Sequence, residues 1–335
     1  MTRLRGAPAA AIMGAGLMGQ WHARAAVRAG GRIALVIDDN PTRRAALARN
    51  YAGCDEADTG DVLSADRIDV LHVCTPDSDH AAAAGYALSR GIHVIVEKPM
   101  AATAGETGQV LAIADSSGRL ACPVHQFVFQ RGFESAMAEL PRLGTVLHVD
   151  MEMCTAGADV TGLRDDLVGS ILCHSLSVAL RCMSASVATI AWRVDQPLEG
   201  ELRATGASGA TSISILISTH GRPTRNSARL ICSEGTIFCD FFHGFSIVED
   251  VAVSRAAKIM QPFRESSATF FAAAGNLARR ALLHEPAFPG LNELVARFYD
   301  SVKHDRPSPI APSEVLDVAA ARDRILGAGQ NSSTI

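Results

Sequence analysis

The sequence has 335 residues, of which 48% are hydrophobic and 20% are charged. At roughly 100–200 residues per domain, this is enough chain for about two domains, and the composition excludes a disordered protein. The formal net charge is −4 and no basic run exceeds two residues, which argues against nucleic acid or an anionic membrane surface as a partner. No stretch of about 18 uninterrupted apolar residues occurs, so no transmembrane helix is expected.

The eight cysteines form no C-x-x-C pair, and several lie in apolar runs, as Cys74 does in V-L-H-V-C. This pattern is typical of buried free thiols in a reducing compartment, so we expect a cytoplasmic protein. A zinc site needs ligands clustered at short spacing. The sequence has no such cluster, so we expect no bound metal.

The first 125 residues alternate between short apolar runs and alanine-rich segments. The apolar runs lack alternating polarity and are predicted to be buried parallel strands, at 9–13, 32–37, 69–74, 92–96 and 120–124. The segments between them are predicted to be helices, at 18–29, 41–52, 80–89 and 103–115. This alternation predicts βαβ units and therefore an α/β fold, in which residues 1–125 form a Rossmann domain with a doubly wound parallel sheet.

The alternation of strands and helices ends after residue 125, and longer predicted strands follow one another, separated by turn signals. These strands are predicted at 145–154, 189–195, 211–220, 227–232, 236–242 and 245–253. Helices are predicted at 166–183, 267–283, 290–304 and 312–326. Residues 126–335 are therefore predicted to form an α+β domain with an open, mainly antiparallel sheet.

A G-x-G-x-x-G motif lies between the first predicted strand and the first predicted helix. Gly14 permits a tight turn, Gly16 lets backbone N–H groups approach a pyrophosphate, and Gly19 lets the helix pack closely on the strand. Leu17 and Met18 complete the loop. The context of strand, glycines and helix predicts a dinucleotide-binding site at these five residues.

The second predicted strand ends at Asp38, close to the distance of about 20 residues at which a ribose-binding carboxylate is expected. A carboxylate there favours the 2′-hydroxyl of NAD over the 2′-phosphate of NADP, so we predict NAD as the cofactor. Arg43 and Arg44 follow and can serve a 2′-phosphate, which leaves NADP open. An exposed helix face is the preferred interpretation of these two arginines.

Three motifs then occur in order: G-A-G-L-M-G-Q-W-H at 14–22, C-T-P-D-S-D-H at 74–80 and G-I-H-V-I-V-E-K-P at 91–99. In this order and spacing they resemble the glucose–fructose oxidoreductase / inositol dehydrogenase / MocA-type (Gfo/Idh/MocA) family. Weaker matches, such as L-G-T-V at 143–146 and S-E-G-T-I at 233–237, extend the resemblance over most of the chain.

The resemblance implies an N-terminal Rossmann domain, a C-terminal domain with an open antiparallel sheet, and a homodimer or homotetramer formed through that sheet. It also implies NAD(P)-dependent dehydrogenase or reductase activity on sugars, cyclitols or their derivatives. Lys98 is similar to a lysine that contacts both nicotinamide and substrate, and the bond before Pro99 is often cis in this family. The other residues placed beside the cofactor by the resemblance are Thr75, Pro76, His80 and Glu97.

The position of Lys98 supports a catalytic role independently of the resemblance. It follows a buried strand at its carboxyl end, where parallel α/β sheets bind ligands. An amine in that place is suited to polarise a carbonyl or to move a proton. We therefore predict that Lys98 is catalytic.

Two segments depart from the family pattern. The first, usually H-N-x-R, begins here with His125 and Gln126, but Val128 stands at the arginine position. Both His125 and Gln126 remain candidates for substrate contact. Together with the missing aspartate of the second segment, the missing arginine puts ordinary polyol oxidation in doubt, so the substrate can also be an unusual sugar, a keto or amino derivative, or an imine.

The second departure is on a helix that carries an Asp-x-x-x-His pair in the family. One alignment puts Cys173 and Ser177 at those two positions. The other keeps His174 as the catalytic histidine and puts Ser170 where the aspartate would be. We favour His174 as the acid/base, because histidine titrates near neutral pH. Both alignments lack the carboxylate, which Asp166 or its neighbour Asp165 can supply from the helix start.

These observations favour an NAD(P)-dependent oxidoreductase that moves a hydride between nicotinamide and a small sugar-like or cyclitol-like molecule. One alternative is a lyase or glycosidase that retains its NAD and catalyses no net oxidation. Another is a nucleotide-binding sensor without turnover, which the altered Asp-x-x-x-His helix favours. The intact E-K-P motif argues against the sensor.

Overall fold

The computed structural model describes residues 6–155, 164–183, 185–250, 254–285 and 287–332. The chain forms two compact units. The first contains residues 1–124 and 291–319, and the second contains residues 125–290 and 320–335. Residues 291–319 therefore lie in the first unit, whereas a single boundary after residue 125 places them in the second domain.

The sheet of the first unit has six parallel strands, in the order β3-β2-β1-β4-β5-β6. They are β1 (Ala9–Met13), β2 (Arg32–Ile37), β3 (Asp55–Ala57), β4 (Val70–Val73), β5 (His93–Val96) and β6 (Ala121–Pro123). The predicted doubly wound sheet is confirmed. Sequence analysis missed β3, because it has only three residues, two of them acidic, and none is fully buried.

Helices connect these strands, with bounds close to those predicted. They are α1 (Leu17–Arg28), α2 (Pro41–Ala48), α3 (His80–Ser89) and α4 (Ala104–Ser117). Local chemistry sets the ends: Asn40 caps α2 by accepting N–H groups of Thr42 and Arg43, and Gly118 ends α4 with a φ of 62°. The strand order reverses between β1 and β4, and ligands of such sheets bind beside the carboxyl ends of strands at this reversal.

The second unit contains a seven-stranded sheet in the order β13-β12-β11-β7-β10-β9-β8. Its strands are β7 (Val146–Cys154), β8 (Arg193–Asp195), β9 (Glu201–Ser208), β10 (Thr211–Ser218), β11 (Arg225–Cys232), β12 (Gly235–Asp240) and β13 (Phe245–Asp250). The predicted open, mainly antiparallel sheet is confirmed. Residues 251–253, the end of the last predicted strand, lie outside the described residues.

One pair in this sheet, β7 with β10, is parallel. A long connection that includes a helix separates these two strands in sequence, and parallel neighbours require such a crossover. Between them the prediction missed β9, whose residues alternate between buried and exposed positions but include charges and a glycine. The strand predicted at 189–195 is reduced to β8.

Among the described residues, five further α-helices follow: α5 (Arg131–Glu139), α6 (Arg164–Cys182), α7 (Arg255–Leu282), α8 (Leu291–His304) and α9 (Pro312–Ser332). In the first unit, α8 packs against α1 with a buried face that includes Phe298 and Tyr299. In the second, α7 packs against β13 but none of its residues is fully buried. Across the described ranges, no helix has both the length and the apolar character needed to cross a membrane.

Candidate active site

The turn after β1 can be formed only with glycine at two positions. Gly14 has a φ of +95°, and a Cβ there would lie 2.4 Å from the Cys74 carbonyl oxygen. A Cβ on Gly19 would lie 1.9 Å from the carbonyl oxygen of Gly14. The Gly14 N–H donates to the Ile37 carbonyl at 2.8 Å, which fixes the turn against β2. The turn therefore brings the start of α1 directly onto the carboxyl end of the sheet.

Gly16 lies in open space, unlike its two neighbours in the motif. A Cβ at this position would have no heavy atom within 4 Å. Gly16 is the N-cap of α1, and no side chain in the described part of the chain caps this end. The first N–H groups of the helix are thus available to an anion that approaches over Gly16. Leu17 is 65% exposed beside this opening, and Met18 is half-buried.

Asp38 ties the same turn to the end of β2. Its Oδ2 accepts the Ala15 N–H at 2.6 Å, and its Oδ1 accepts the Asn40 N–H at 2.8 Å. A carboxylate oxygen has two lone pairs, so each oxygen can still accept a ribose hydroxyl. The two arginines that follow differ: Arg43 is exposed, whereas half-buried Arg44 donates to the Asp38 carbonyl at 2.7 Å. The exposed-face interpretation therefore describes Arg43 alone.

His80 connects the loops that follow β4 and β5. Its ring is fully buried, with Nδ1 2.7 Å from the Pro99 carbonyl oxygen and Nε2 2.9 Å from the Thr75 carbonyl oxygen. The Lys98–Pro99 peptide bond is cis. The Thr75 hydroxyl is buried and has no hydrogen-bond partner among the residues that the structure describes. Such a hydroxyl can form a hydrogen bond to a ligand bound in this loop. The next residue, Pro76, is exposed.

Glu97 and Lys98 follow β5, where the strand ends. Glu97 is 7% exposed; its Oε1 lies 3.0 Å from His22 Nε2, and its Oε2 accepts the Lys98 N–H at 3.2 Å. Burial by itself raises the pKa of the Glu97 carboxyl, but the interactions with His22 and Lys98 outweigh it and hold that pKa below its usual value. Lys98 is half-buried. The loop therefore carries an ionised carboxylate next to the predicted catalytic lysine.

Sequence analysis missed three polar residues behind this loop: His22, His72 and Tyr299. His22 Nδ1 lies 2.9 Å from His72 Nδ1, and His72 Nε2 lies 2.8 Å from the Tyr299 hydroxyl. All three side chains are buried. A histidine inside an apolar strand was the available signal, because a buried polar side chain needs a partner. That partner, Tyr299, is 227 residues further along the chain.

The remaining predicted residues lie in the second unit. The His174 ring, on α6, stacks on Phe127 with the ring centres 4.2 Å apart, and Phe127 stacks in turn on Phe241. His125 and Gln126 begin the same segment as Phe127 and are both buried.

Five other candidates lie on α6 with His174. Ser177 Oγ donates to the His174 carbonyl at 2.9 Å, and the Cys173 thiol lies 3.8 Å from the Gly169 carbonyl oxygen. Ser170 is buried, whereas Asp166 is exposed. Asp165 accepts the Gly200 N–H at 2.8 Å. These hydrogen bonds of Ser177 and Cys173 go to the helix backbone, and one oxygen of the Asp165 carboxylate accepts a backbone N–H.

The family comparison agrees with this geometry. Residues 9–125 match the model of an oxidoreductase family with an NAD-binding Rossmann fold, the Gfo/Idh/MocA family. Over these residues, about a third of the chain, the sequence is similar to members of this family. The resemblance drawn from the three sequence motifs is confirmed.

Several named proteins match parts of the chain. A scyllo-inositol 2-dehydrogenase (NADP(+)) from Bacillus subtilis is 20% identical over 58% of this chain and 64% of its own length. The rhizopine catabolism protein MocA from Rhizobium meliloti is 34% identical over 34% of this chain and 35% of its own length. The matches thus span between about a third and just under two thirds of these relatives.

Solved structures resemble the chain over nearly its full length. The WlbA dehydrogenase from Bordetella pertussis, determined in complex with NADH and UDP-GlcNAcA, superposes with a TM-score of 0.77 at 13% identity. The alignment covers 98% of this chain and 97% of WlbA. At this identity the likeness shows that the two proteins share a fold.

For metal binding, the described residues contain no group of three or more His, Cys, Asp or Glu side chains that could hold an ion. All eight cysteines are free thiols. Burial raises the pKa of Cys239 to about 12, and it also raises the pKa of Cys182 well above its usual value. These thiols therefore stay protonated and unreactive near neutral pH.

Proposed function

We propose that the chain is an NAD(P)-dependent oxidoreductase that moves a hydride between nicotinamide and a sugar, cyclitol or related small molecule. The observation that carries this proposal is the turn between β1 and α1. Gly14 and Gly19 leave no room for a side chain, Gly16 faces open space, and Asp38 stands beside them. A glycine without a Cβ at an uncapped helix start leaves room for a pyrophosphate, and a neighbouring carboxylate can accept hydrogen bonds from a ribose.

The residues of the first unit fit a dinucleotide. Backbone N–H groups at the start of α1 would hold the pyrophosphate, Asp38 would accept the ribose hydroxyls, and the buried Thr75 hydroxyl would receive a hydrogen-bond partner. The carboxylate of Asp38 favours NAD over NADP. When bound, the nicotinamide supplies the hydride donor or acceptor.

The proton chemistry is assigned to two side chains. Lys98 would polarise the reacting carbonyl or hold the proton of the reacting hydroxyl, because its amine follows the carboxyl end of β5. His174 would act as acid/base for the substrate, with its ring orientation fixed by stacking on Phe127. His125, Gln126 and Ser170 would contact substrate.

Relatives support the substrate class, since their names include inositol, D-xylose and UDP-N-acetylglucosamine dehydrogenases. Neither alignment of α6 puts a carboxylate at the family's aspartate position, where Cys173 or Ser170 stands, and Asp165 at the helix start already accepts the Gly200 N–H. This favours a keto, amino or imine derivative over a simple polyol. The free state of all eight thiols supports a cytoplasmic location.

The first test is a calorimetric titration of the purified protein with NADH and with NADPH. We expect saturable binding with a preference for NADH. In Asp38→Asn the carboxylate charge is lost at nearly constant shape, so we expect NADH to bind about 10–100-fold more weakly and the preference to shift toward NADPH. Arg43→Ala should leave NADH binding unchanged. Binding of neither nucleotide would overturn the proposal, and NAD that co-purifies without exchange would favour the non-redox alternative.

We also propose that the second unit forms a contact with a second copy of the chain, and that α7 is its main element. Ile259, Phe263, Phe270 and Leu277 form a stripe on this helix at helical spacing, each about two thirds exposed. Phe271 extends the stripe, and several other apolar residues of α7 are also exposed. Three phenylalanines of about 150–250 Å² each, with these aliphatic neighbours, approach the ~800 Å² that one partner contributes to a standard interface.

We expect size-exclusion chromatography with light scattering to find at least a dimer. Phe270→Glu should shift the mass toward the monomer, because it places a charge in the centre of the apolar stripe. Ala268→Glu changes an exposed residue of α7 outside the stripe and should leave the mass unchanged. A monomeric wild-type protein, or a Phe270→Glu variant that stays fully associated, would contradict the proposal.

A further inference from the structure

A continuous series of buried polar side chains runs through the first unit behind the E-K-P loop. It begins at Glu97 after β5, passes through His22 on α1 and His72 on β4, and ends at Tyr299 on α8. The three links measure 3.0, 2.9 and 2.8 Å. None of the four residues is more than 7% exposed. Four separate elements thus each contribute one member to a network away from solvent.

The ionisation of the network follows from its surroundings. Glu97 is ionised, since its pKa is below the usual value, and it can only accept hydrogen bonds. Burial lowers the pKa of His72 well below its usual value, so His72 is neutral and carries one N–H. Burial and the charge of Asp69 raise the pKa of Tyr299, so its hydroxyl keeps its proton. His22 must donate its Nε2–H to Glu97.

The requirement that each buried donor has an acceptor then selects one direction for the hydrogen bonds of this network. If His22 is neutral, its Nδ1 accepts the Nδ1–H of His72, and His72 Nε2 accepts the Tyr299 hydroxyl. Every donor then has an acceptor. If His22 were a cation, His72 would donate to Tyr299, and the hydroxyl proton would need a further acceptor. Within the described residues, Tyr299 has no other hydrogen-bond partner. Leaving a buried hydroxyl proton unsatisfied is unfavourable, so the first arrangement is preferred.

We propose that Tyr299, His72 and His22 form a one-directional hydrogen-bond relay that ends on Glu97, with Tyr299 and His72 as positioning residues for the Lys98–Pro99 loop. The relay fixes both oxygens of Glu97, one on His22 and the other on the Lys98 N–H. It thereby holds one negative charge in the loop that carries the proposed catalytic lysine. This inference rests on the proposed function, in which the same loop contacts the nicotinamide.

The proposed consequence is a preference between the two redox states of the cofactor. The nicotinamide ring is cationic in NAD⁺ and neutral in NADH. A fixed carboxylate in the loop that contacts the ring stabilises the cation more than the neutral form. The relay should therefore favour NAD⁺ relative to NADH, and it should not affect a ligand that lacks the nicotinamide.

The first experiment measures the dissociation constants of NAD⁺, NADH and ADP-ribose for the full chain and for Tyr299→Phe. The variant removes only the hydroxyl. We expect NAD⁺ to bind about 3–10-fold more weakly, NADH to change less, and ADP-ribose to stay within about twofold. Phe298→Leu is the matched control, because Phe298 is a buried neighbour on α8 outside the relay. It can lower thermal stability but should leave the three affinities in their original ratio.

A second readout needs no cofactor. Two-bond ¹H–¹⁵N correlation spectra of the histidine rings report which nitrogen carries the proton. We expect His22 protonated at Nε2 and His72 at Nδ1, and we expect Tyr299→Phe to weaken the Nδ1 preference of His72. The opposite tautomers, or a cationic His22 at neutral pH, would overturn the relay.

The two readouts separate failure of the relay from failure of the proposed function. If the wild-type chain binds none of the three ligands, the proposed function fails, and the spectra still decide the direction of the relay. If the wild-type chain binds them and Tyr299→Phe leaves the NAD⁺ to NADH ratio unchanged, the positioning role is wrong.

Discussion

Replacing Lys98 by methionine is expected to lower kcat by about 10²–10⁴-fold, the range found when a positioned acid/base group is removed. Methionine keeps the length and the apolar part of the side chain, so the half-buried position stays filled. The amine is lost, and with it the group that would polarise the substrate carbonyl. KM should change much less than kcat, since the proposed interaction strengthens in the transition state.

The measurement is steady-state turnover on the best substrate from a panel of inositols, aldoses and keto sugars. The matched control is Lys303→Met, which removes an exposed lysine from α8 in the same unit. Its kcat should equal that of the wild type. NADH affinity should stay within about threefold in both variants, since the pyrophosphate and ribose contacts are elsewhere. A Lys98→Met variant with undiminished kcat would remove Lys98 from the mechanism.

Gly16→Ala and Gly19→Ala should separate nucleotide binding from folding, although the two glycines lie three residues apart. At Gly16 the backbone has φ −71° and ψ −161°, which alanine adopts, and a Cβ there meets no protein atom within 4 Å. Alanine is a poorer N-cap residue than glycine, but it also stiffens the unfolded chain, so the two effects oppose each other and the free energy of unfolding should change by less than about 1 kcal/mol. The new methyl occupies the space above the helix start. We expect NADH binding to weaken by about 10–100-fold, as for an overpacked contact of 1–3 kcal/mol.

Gly19→Ala should instead damage the fold. Its Cβ would lie 1.9 Å from the Gly14 carbonyl oxygen, a backbone atom that cannot move without opening the turn. The expected loss is about 3 kcal/mol or more of unfolding free energy, visible as a lower melting temperature without any ligand. Urea denaturation and NADH titration of both variants test the pair. Equal destabilisation by both, or full NADH affinity in Gly16→Ala, would contradict the assignment of Gly16 to the pyrophosphate.

Short-range sequence patterns determined most of the first unit. Five of its six strands follow from short, mainly apolar runs, and the ends of its helices follow from residues such as Pro41 and Gly118. The glycine spacing at 14–19 located the nucleotide turn, because the steric demand at each glycine arises within a few residues of chain or from the adjacent strand. The same reasoning placed Lys98 correctly at the carboxyl end of a strand.

Other features depend on contacts between distant residues, and the sequence alone did not reveal them. The parallel pairing of β7 with β10 depends on how the crossover through α6 returns to the sheet. The return of residues 291–319 to the first unit depends on the match between the apolar faces of α8 and α1. Strands as short and polar as β3 gain their stability from a neighbour rather than from their own residues.

The E-K-P loop shows most clearly which features follow from the sequence and which depend on the tertiary structure. The sequence by itself determined that Glu97, Lys98 and Pro99 follow a buried strand at the ligand-binding end of a doubly wound sheet. Only the tertiary structure decided what holds Glu97 in place, because His22, His72 and Tyr299 lie on three different elements. Apolar periodicity depends on local burial and can be recognised from one segment. A buried hydrogen-bond network depends on which elements pack together, and that is settled only when the chain has folded.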